Sequence, residues 1–527
     1  MLLTDLLSEL EAWDQWLSVL LLILLPLLLT LTVFLDRQRR RRGWRAVKKL
    51  DDPFKSRHKR LSRKKLRELA RGNSITMGKR PAHWWQSRQQ LILPESTRCL
   101  NVINLGPTGA GKTAYFLATF IAQDLARPEV ALVIFDGQRD LTESILALAE
   151  HYYREVVIYP DAGFNPLAGP GTPQERAALF ADLFAQVSET GMQDAAGYYL
   201  QKAQSFLRKV IPLYERAYQQ PMILQELVEL CLDEEVRERV LADAANTPEA
   251  RDFRLLFKPW SKGEYEKNLA GLLNFIDRLM VGRNASLYNQ RHAPTLAESL
   301  EQKKIVVIRE GGPDRTQGHT LGLLYMVSLQ EYTARRACAT SPHLVAVYMD
   351  EAHVYFNDNF PTFIATSRKR NVALHLGFQS FAQLEPHQQE ITTNARTWVI
   401  HGGLLHDDAQ IVADTIGKRN FRVQSWSYSR GHEPRRTISP TWEYLVPAHE
   451  VRGLSADQAL VLTVEGREVA ANVLVQKPKL LALATQPYEP PQTSAYPPPT
   501  VWMERDQPQQ PEQPLPATGT SQAAPDW

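Results

Sequence analysis

Two sets of residues in this chain have the types and spacing for phosphate chemistry. The first is Gly106-Pro107-Thr108-Gly109-Ala110-Gly111-Lys112-Thr113, which satisfies the phosphate-binding spacing G-x-x-x-x-G-K-S/T. Glycines there let backbone N–H groups converge on phosphate oxygens, and a helix starting behind them adds a favourable dipole. In that arrangement Lys112 neutralises the β- and γ-phosphates of ATP, and the Thr113 hydroxyl ligates Mg²⁺. A chance glycine-rich turn is the plain alternative. It does not account for the apolar run Asn101–Leu105 before the loop or the amphipathic run Ala114–Leu125 after it.

The second set is Asp350-Glu351, at the end of the apolar run Leu344–Met349. Such a run describes a buried strand that delivers both carboxylates to its C-terminal edge, where open α/β sheets hold ligands. Asp350 is expected to hold the Mg²⁺ shell, and Glu351 to orient or deprotonate the attacking water. The next apolar run ends at Gly377-Phe378-Gln379, so the Gln379 amide is placed to sense the γ-phosphate. Between them, Ser367-Arg368-Lys369-Arg370-Asn371 offers arginines that can serve a neighbouring subunit's site in trans. A solvated basic helix end is the alternative for both arginines, and a more natural one for Arg370 than for Arg368.

Buried strands and helices must carry these groups. Val130–Asp136, Val156–Asp161, Lys304–Arg309 and Thr397–His401 read as further strands, and Leu460–Arg467 as a hairpin turn between two more. Thr172-Pro173-Gln174-Glu175 matches a capping box with proline at the first helical position. From about residue 189 to 300 apolar residues recur at helical spacing, which describes an all-helical insertion within an α/β domain. Helices are also expected over about 320–337 and 407–416.

The 527 residues, 44% hydrophobic and 23% charged, suit a globular protein of two or three domains. Three widely spaced cysteines (Cys99, Cys231, Cys338) argue against a disulfide framework or structural zinc and for a reducing compartment. The stretch Trp16–Leu35 carries no charge and is long enough to cross a bilayer as a helix. Acidic residues precede it (Asp5, Glu9, Glu11, Asp14), and arginines from Arg37 onward follow. A cleaved signal peptide would show the reverse. The charge asymmetry predicts a single-pass anchor in a bacterial inner membrane, residues 1–14 outside and everything after Arg37 in the cytoplasm.

The expected organisation is an external N-terminus (1–14), a transmembrane helix (15–36) and a basic juxtamembrane segment (37–97). Then come an ATPase domain (98–188 and 301–475), the helical insertion (189–300) and a disordered Pro/Gln-rich tail (476–527). The nineteen Lys or Arg between Arg37 and Arg80 suit contact with anionic lipid or DNA phosphates, and equally a solvated linker.

The chain resembles the type IV coupling proteins, membrane-bound conjugative DNA-transfer ATPases of the TraD/TraG kind. The resemblance spans about residues 14–475. It rests on the anchor, GPTGAGKT at 106–113, the helical insertion, MDEAH at 349–353, and SRKRN at 367–371 followed by GFQSFAQL at 377–384. Phe164–Leu167 and Pro447–Leu454 add to it. It implies a RecA-like α/β fold and ATP with Mg²⁺ as cofactors, with Lys112, Glu351, Gln379 and a trans-acting Arg368 as catalytic groups. It also implies a homo-hexamer that moves single-stranded, or double-stranded, DNA through a central channel, with a relaxase complex and a type IV secretion channel as partners. Family members commonly carry two membrane helices around a small external domain, whereas this sequence shows one. Two other readings share the core residues: an FtsK/HerA-type pump for segregation or defence, and a non-motor nucleotide-binding receptor for secreted substrates.

Overall fold

Apolar runs that end at a glycine or a carboxylate form the centre of the protein as buried parallel strands. In the computed structural model, the structure describes residues 72–79, 90–189, 195–309, 315–336, 342–427, 435–465, 468–477, 479, 483–491 and 500–502, together with Leu24, Thr30 and Leu31. The strands are β1 (Ile75–Lys79), β2 (Gln90–Leu93), β3 (Val102–Leu105), β4 (Ala131–Phe135), β5 (Val156–Tyr159), β6 (Ile305–Ile308) and β7 (Val345–Met349). They continue with β8 (Val372–Phe378), β9 (Thr397–Ile400), β10 (Lys418–Ser427), β11 (Arg435–Tyr444), β12 (Gln458–Glu465) and β13 (Glu468–Gln476).

One sheet has the order β2-β1-β13-β12-β9-β3-β8-β7-β4-β6-β5. From β9 to β5 all neighbours run parallel, and every residue of β3, β4, β6, β7, β8 and β9 is buried. Strands covered on both faces need continuous apolar sequence, and this is why these runs lack alternation. The expected hairpin is the antiparallel pair β12–β13, its turn at 466–467 lying outside the described residues.

Two boundaries differ from expectation. Residues 72–79 and 90–97, assigned by charge to a juxtamembrane segment, supply β1, β2 and most of a short helix (Glu95–Arg98) beside the same sheet. Four- and five-residue edge strands leave a weak pattern, and the basic run masked it. The helical layer also starts earlier than residue 189. The capping box forms as predicted: Thr172 N–H donates to Glu175 Oε2 (2.8 Å) and Glu175 N–H to Thr172 Oγ1 (3.3 Å). It opens the helix Pro173–Glu189, whose Phe180 and Phe184 rings meet Phe275 of the helix Lys262–Leu279.

β10 and β11 pair antiparallel from Lys418↔Tyr444 to Ser427↔Arg435 in a separate two-stranded hairpin that the sequence reading missed.

The tail does not behave throughout as a disordered segment. Tyr488 donates its hydroxyl to Asp161 Oδ2 (2.8 Å) and lies under the Arg309 guanidinium, 4.7 Å from the ring centre. Thr500, Val501 and Trp502 are buried in a slot of the helical insertion. There Val501 N–H donates to Glu226 Oε1 (3.0 Å), the Trp502 indole N–H bonds Glu229, and its ring meets Tyr214 and Tyr218 edge-on. A segment unable to fold alone thus buries its apolar residues on a surface formed by the rest of the chain.

No helix among the described residues is long and apolar enough to cross a membrane. The stretch Trp16–Leu35, apart from Leu24, Thr30 and Leu31, lies outside those residues, as do the basic run up to Arg71 and His83–Gln86.

Candidate active site

β3, β7 and β8 lie side by side and end at one edge of the sheet, which brings the two sets of residues together. The loop after β3 is held from below by Gly106 N–H donating to the Phe378 carbonyl (3.1 Å). Gly109 and Gly111 sit at φ 80° and 81°, where a side chain would be strained. Gly111 caps the helix that Lys112 opens. Lys112 is buried, and its ammonium donates weakly to the Pro107 carbonyl (3.4 Å) across the loop.

Thr113 Oγ1 donates to Asp350 Oδ2, closing the link between the loop and the end of β7. The other Asp350 oxygen, Oδ1, is buried and has no hydrogen-bond partner among the described residues, so the carboxylate keeps a free ligating atom beside the threonine hydroxyl. Burial pushes the Asp350 carboxyl up, Glu351 adds to this, and the Thr113 hydrogen bond and Lys112 oppose it. A cation at this point would remove that conflict, and the donor set of one hydroxyl and one carboxylate suits hard Mg²⁺. The neighbouring strand leaves room: a Cβ at Gly377 would meet Asp350 Oδ1 at 2.7 Å, so only glycine fits beside this carboxylate.

Glu351 lies at φ 55°, a left-handed conformation that costs a non-glycine residue about 1–3 kcal/mol and is found mostly at functional sites. That turn aims its carboxylate at Gln379, whose Nε2 donates to Glu351 Oε1 (2.7 Å). Gln379 is fixed in turn by its own N–H donating to Gln383 Oε1 (2.7 Å). Lys112, Thr113, Asp350, Glu351 and Gln379 therefore form one cluster. Around it lies a cavity of about 410 Å³ lined by residues including Thr108, Gly111, Lys112, Thr113, Asp350 and Glu351.

Arg368 is not in this cluster. It is exposed at the start of β8, and the seven residues of that strand separate it from Gln379 by about 20 Å. Arg370 turns inward and donates to the Arg336 carbonyl.

Several site residues escaped the sequence reading. Asp140 lines the cavity from the turn after β4, and burial with Asp136 and Asp350 nearby pushes its carboxyl up to about 6. Asn104 donates to the Lys112 carbonyl (3.2 Å) and accepts from His401 Nε2 (2.6 Å), so a neutral histidine braces the loop from β9. Burial, reinforced by Lys477 and Lys112, keeps His401 uncharged. Lys477, after β13, reaches the Ala110 carbonyl (2.9 Å). None of these has a sequence signal of its own, because each is placed by strand order.

Beneath the cluster lies a buried quartet. The Arg98 guanidinium donates to Asp124 Oδ1 (2.8 Å), the Tyr348 hydroxyl (2.7 Å) and His375 Nε2 (3.0 Å). Because His375 Nε2 accepts, Nδ1 carries the proton and donates to the Val347 carbonyl (3.0 Å). Arg98 precedes β3, Asp124 follows the loop helix, Tyr348 is two residues before Asp350, and His375 is two before Gly377. The loop helix, β7 and β8, which deliver Thr113, Asp350 and Gln379, are all tied to this point.

The fold is an α/β sheet with a parallel centre, and the site sets a glycine-rich loop with the G-x-x-x-x-G-K-T spacing beside two carboxylates at the end of its central strand β7. Residues 344–456 match the family described as the TraM recognition site of TraD and TraG. Among solved structures, the unbound bacterial conjugative coupling protein TrwBdeltaN70 is similar, with TM-score 0.54 and 15% identity over 75% of this chain and 88% of that one. TrwB in complex with the ATP analogue ADPNP matches with TM-score 0.53 and 14% identity, covering 75% and 89%. TrwB with ADP and Mg²⁺ matches with TM-score 0.52 and 14% identity, covering 79% and 96%. No curated protein sequence matches the chain. Family match and shared fold bear out the resemblance to TraD/TraG-type coupling proteins.

Proposed function

We propose that this protein is a membrane-anchored, ATP-driven DNA translocase that couples a relaxase–DNA substrate to a type IV secretion channel. The observation that carries the ATPase part is the Thr113–Asp350 link with the free Asp350 oxygen, next to Glu351 and Gln379. The family match over 344–456 and the coupling-protein fold support the transfer role.

On this reading the loop N–H groups and Lys112 bind the triphosphate, and Thr113 with Asp350 holds Mg²⁺. When bound, the ion neutralises charge that builds on the phosphates. Glu351 accepts a proton from the attacking water. Gln379, bonded to Glu351, is placed to report whether a γ-phosphate is present. Arg368 is assigned to the site of a neighbouring subunit in a hexameric ring, consistent with its place at the far edge of its own sheet. The uncharged stretch Trp16–Leu35 anchors the assembly in the inner membrane, with the sheet on the cytoplasmic side.

ATP hydrolysis by the full chain, with and without single-stranded DNA, tests the motor reading. Glu351→Gln is expected to lower turnover by about 10²–10⁴-fold while nucleotide still binds. Lys112→Ala is expected to weaken binding itself. Hydrolysis unchanged in both variants would sink the proposal, and mixed rings of Arg368→Ala with Glu351→Gln subunits should regain activity. Cell-to-cell DNA transfer with Lys112→Ala separates conjugation from a segregation or defence pump.

A further inference from the structure

Phosphate-binding loops face their ligand with N–H groups and turn their carbonyls outward, and in this chain one of those outward carbonyls is gripped. Lys477, the residue after β13, donates from Nζ to the Ala110 carbonyl at 2.9 Å. The same Nζ would lie 3.4 Å from a Cβ built on Gly111. β13 is eight places along the sheet order from β5 and three from β3, so this contact joins the antiparallel end of the sheet to the loop. Lys477 forms no ion pair among the described residues, and the nearest acid that acts on it is Asp457, whose carbonyl accepts the Lys477 N–H (2.8 Å). A half-buried ammonium that bonds a carbonyl instead of a carboxylate bears a desolvation cost without a counter-charge. The other charged or titratable groups facing this region are Lys112 and His401, and neither offers a negative charge.

We propose that Lys477 is a positioning residue of the nucleotide site, holding the Ala110–Gly111 peptide so that its N–H is committed to phosphate. The inference rests on the nucleotide-binding reading above and extends it to the end of the last strand. Carbonyl and N–H of one trans peptide point in opposite directions. Fixing the Ala110 carbonyl on the outside therefore fixes the Gly111 N–H on the inside, where Gly111 and Lys112 line the cavity. A positive charge on the carbonyl also polarises the amide and strengthens the N–H as a donor. Burial pulls the Lys477 amine down to about 8, opposed by Asp457, so the grip is present at neutral pH and weakens above it.

The test is the affinity of the full chain, in detergent, for ADP and for a non-hydrolysable ATP analogue with Mg²⁺. Lys477→Met should weaken both by about tenfold, the usual value of a hydrogen bond from a charged group. Its unfolding without nucleotide should match wild type. Affinity within twofold of wild type overturns the proposal. If Lys477→Met changes the nucleotide-free unfolding, the pH dependence decides: wild-type affinity falling between pH 7 and 9 while Lys477→Arg stays flat supports the grip, and parallel profiles overturn it. Loss of binding in Lys112→Ala, with binding in wild type, shows separately that the underlying site reading holds.

Discussion

Asp124→Asn is the sharpest test of how this fold places its chemistry. The substitution keeps the shape of the side chain and removes the single negative charge facing the Arg98 guanidinium, in a place where both side chains are fully buried. Breaking one partner of a buried pair leaves an uncompensated charge and typically costs about 3–5 kcal/mol. Tyr348 and His375 cannot replace the lost charge, since burial keeps the tyrosine protonated and the histidine neutral. Tyr348→Phe removes only a hydroxyl and should cost about 1 kcal/mol. The double change Arg98→Met with Asp124→Leu should recover most of the Asp124→Asn loss, because no fully buried charge is then left unpaired; Arg127, which also pairs with Asp124 (3.2 Å), is partly open to solvent. Denaturant unfolding of the nucleotide-free protein reads these differences directly. Hydrolysis should fall further than nucleotide affinity, since the quartet sits two residues before Asp350 and a shift of about 1 Å in reacting groups costs on the order of 10²-fold in rate. Loss below about 1 kcal/mol in Asp124→Asn would refute the argument, because a buried guanidinium cannot lose its counter-charge at so small a cost.

Two further outcomes follow from groups the sequence did not reveal. Trp502→Ala should destabilise the helical insertion by up to about 3–5 kcal/mol, and Trp502→Phe, which loses only the bond to Glu229, by about 1 kcal/mol. Equal thermal unfolding of both variants and wild type would mean the slot does not hold the tail. Asp140, raised to about 6 from an ordinary 3.8, binds its proton more tightly in the folded state. Its contribution therefore falls as pH rises from the ordinary carboxylate range through about 6. Asp140→Asn should raise the melting temperature more at pH 7 than at pH 4.5, by an amount reduced through solvent screening, because the carboxylate is desolvated only on its cavity side and is otherwise open to water. Equal gains at the two pH values would contradict the assignment.

Much of this site was readable because its chemistry is local. Gly106–Thr113 is a contiguous motif, and Asp350, Glu351 and Gln379 each close an apolar run, so one rule places all three at a strand end. Asn104, His401 and Lys477 were not readable. Asn104 sits on β3 but gains its role from His401, which reaches it only because β9 lies next to β3, while Lys477 comes from the antiparallel β13, and no periodicity encodes that order. Arg98 and Asp124 look like ordinary surface charges in sequence, since charged side chains are rarely fully buried without a partner. The tail was misjudged for a related reason. Composition says whether a segment can bury itself, and Trp502 is buried by other residues.

The docked tail also joins two parts of the molecule. After the last strand come the lysine on the phosphate loop, Tyr488 on Asp161 and Arg309, and Thr500–Trp502 in the helical insertion. Two anchors, Trp502 in its slot and Tyr488 on Asp161 and Arg309, stand between residue 502 and Lys477 along the chain. The helical insertion and the central sheet are therefore bound together by the segment after β13 as well as by their own packing.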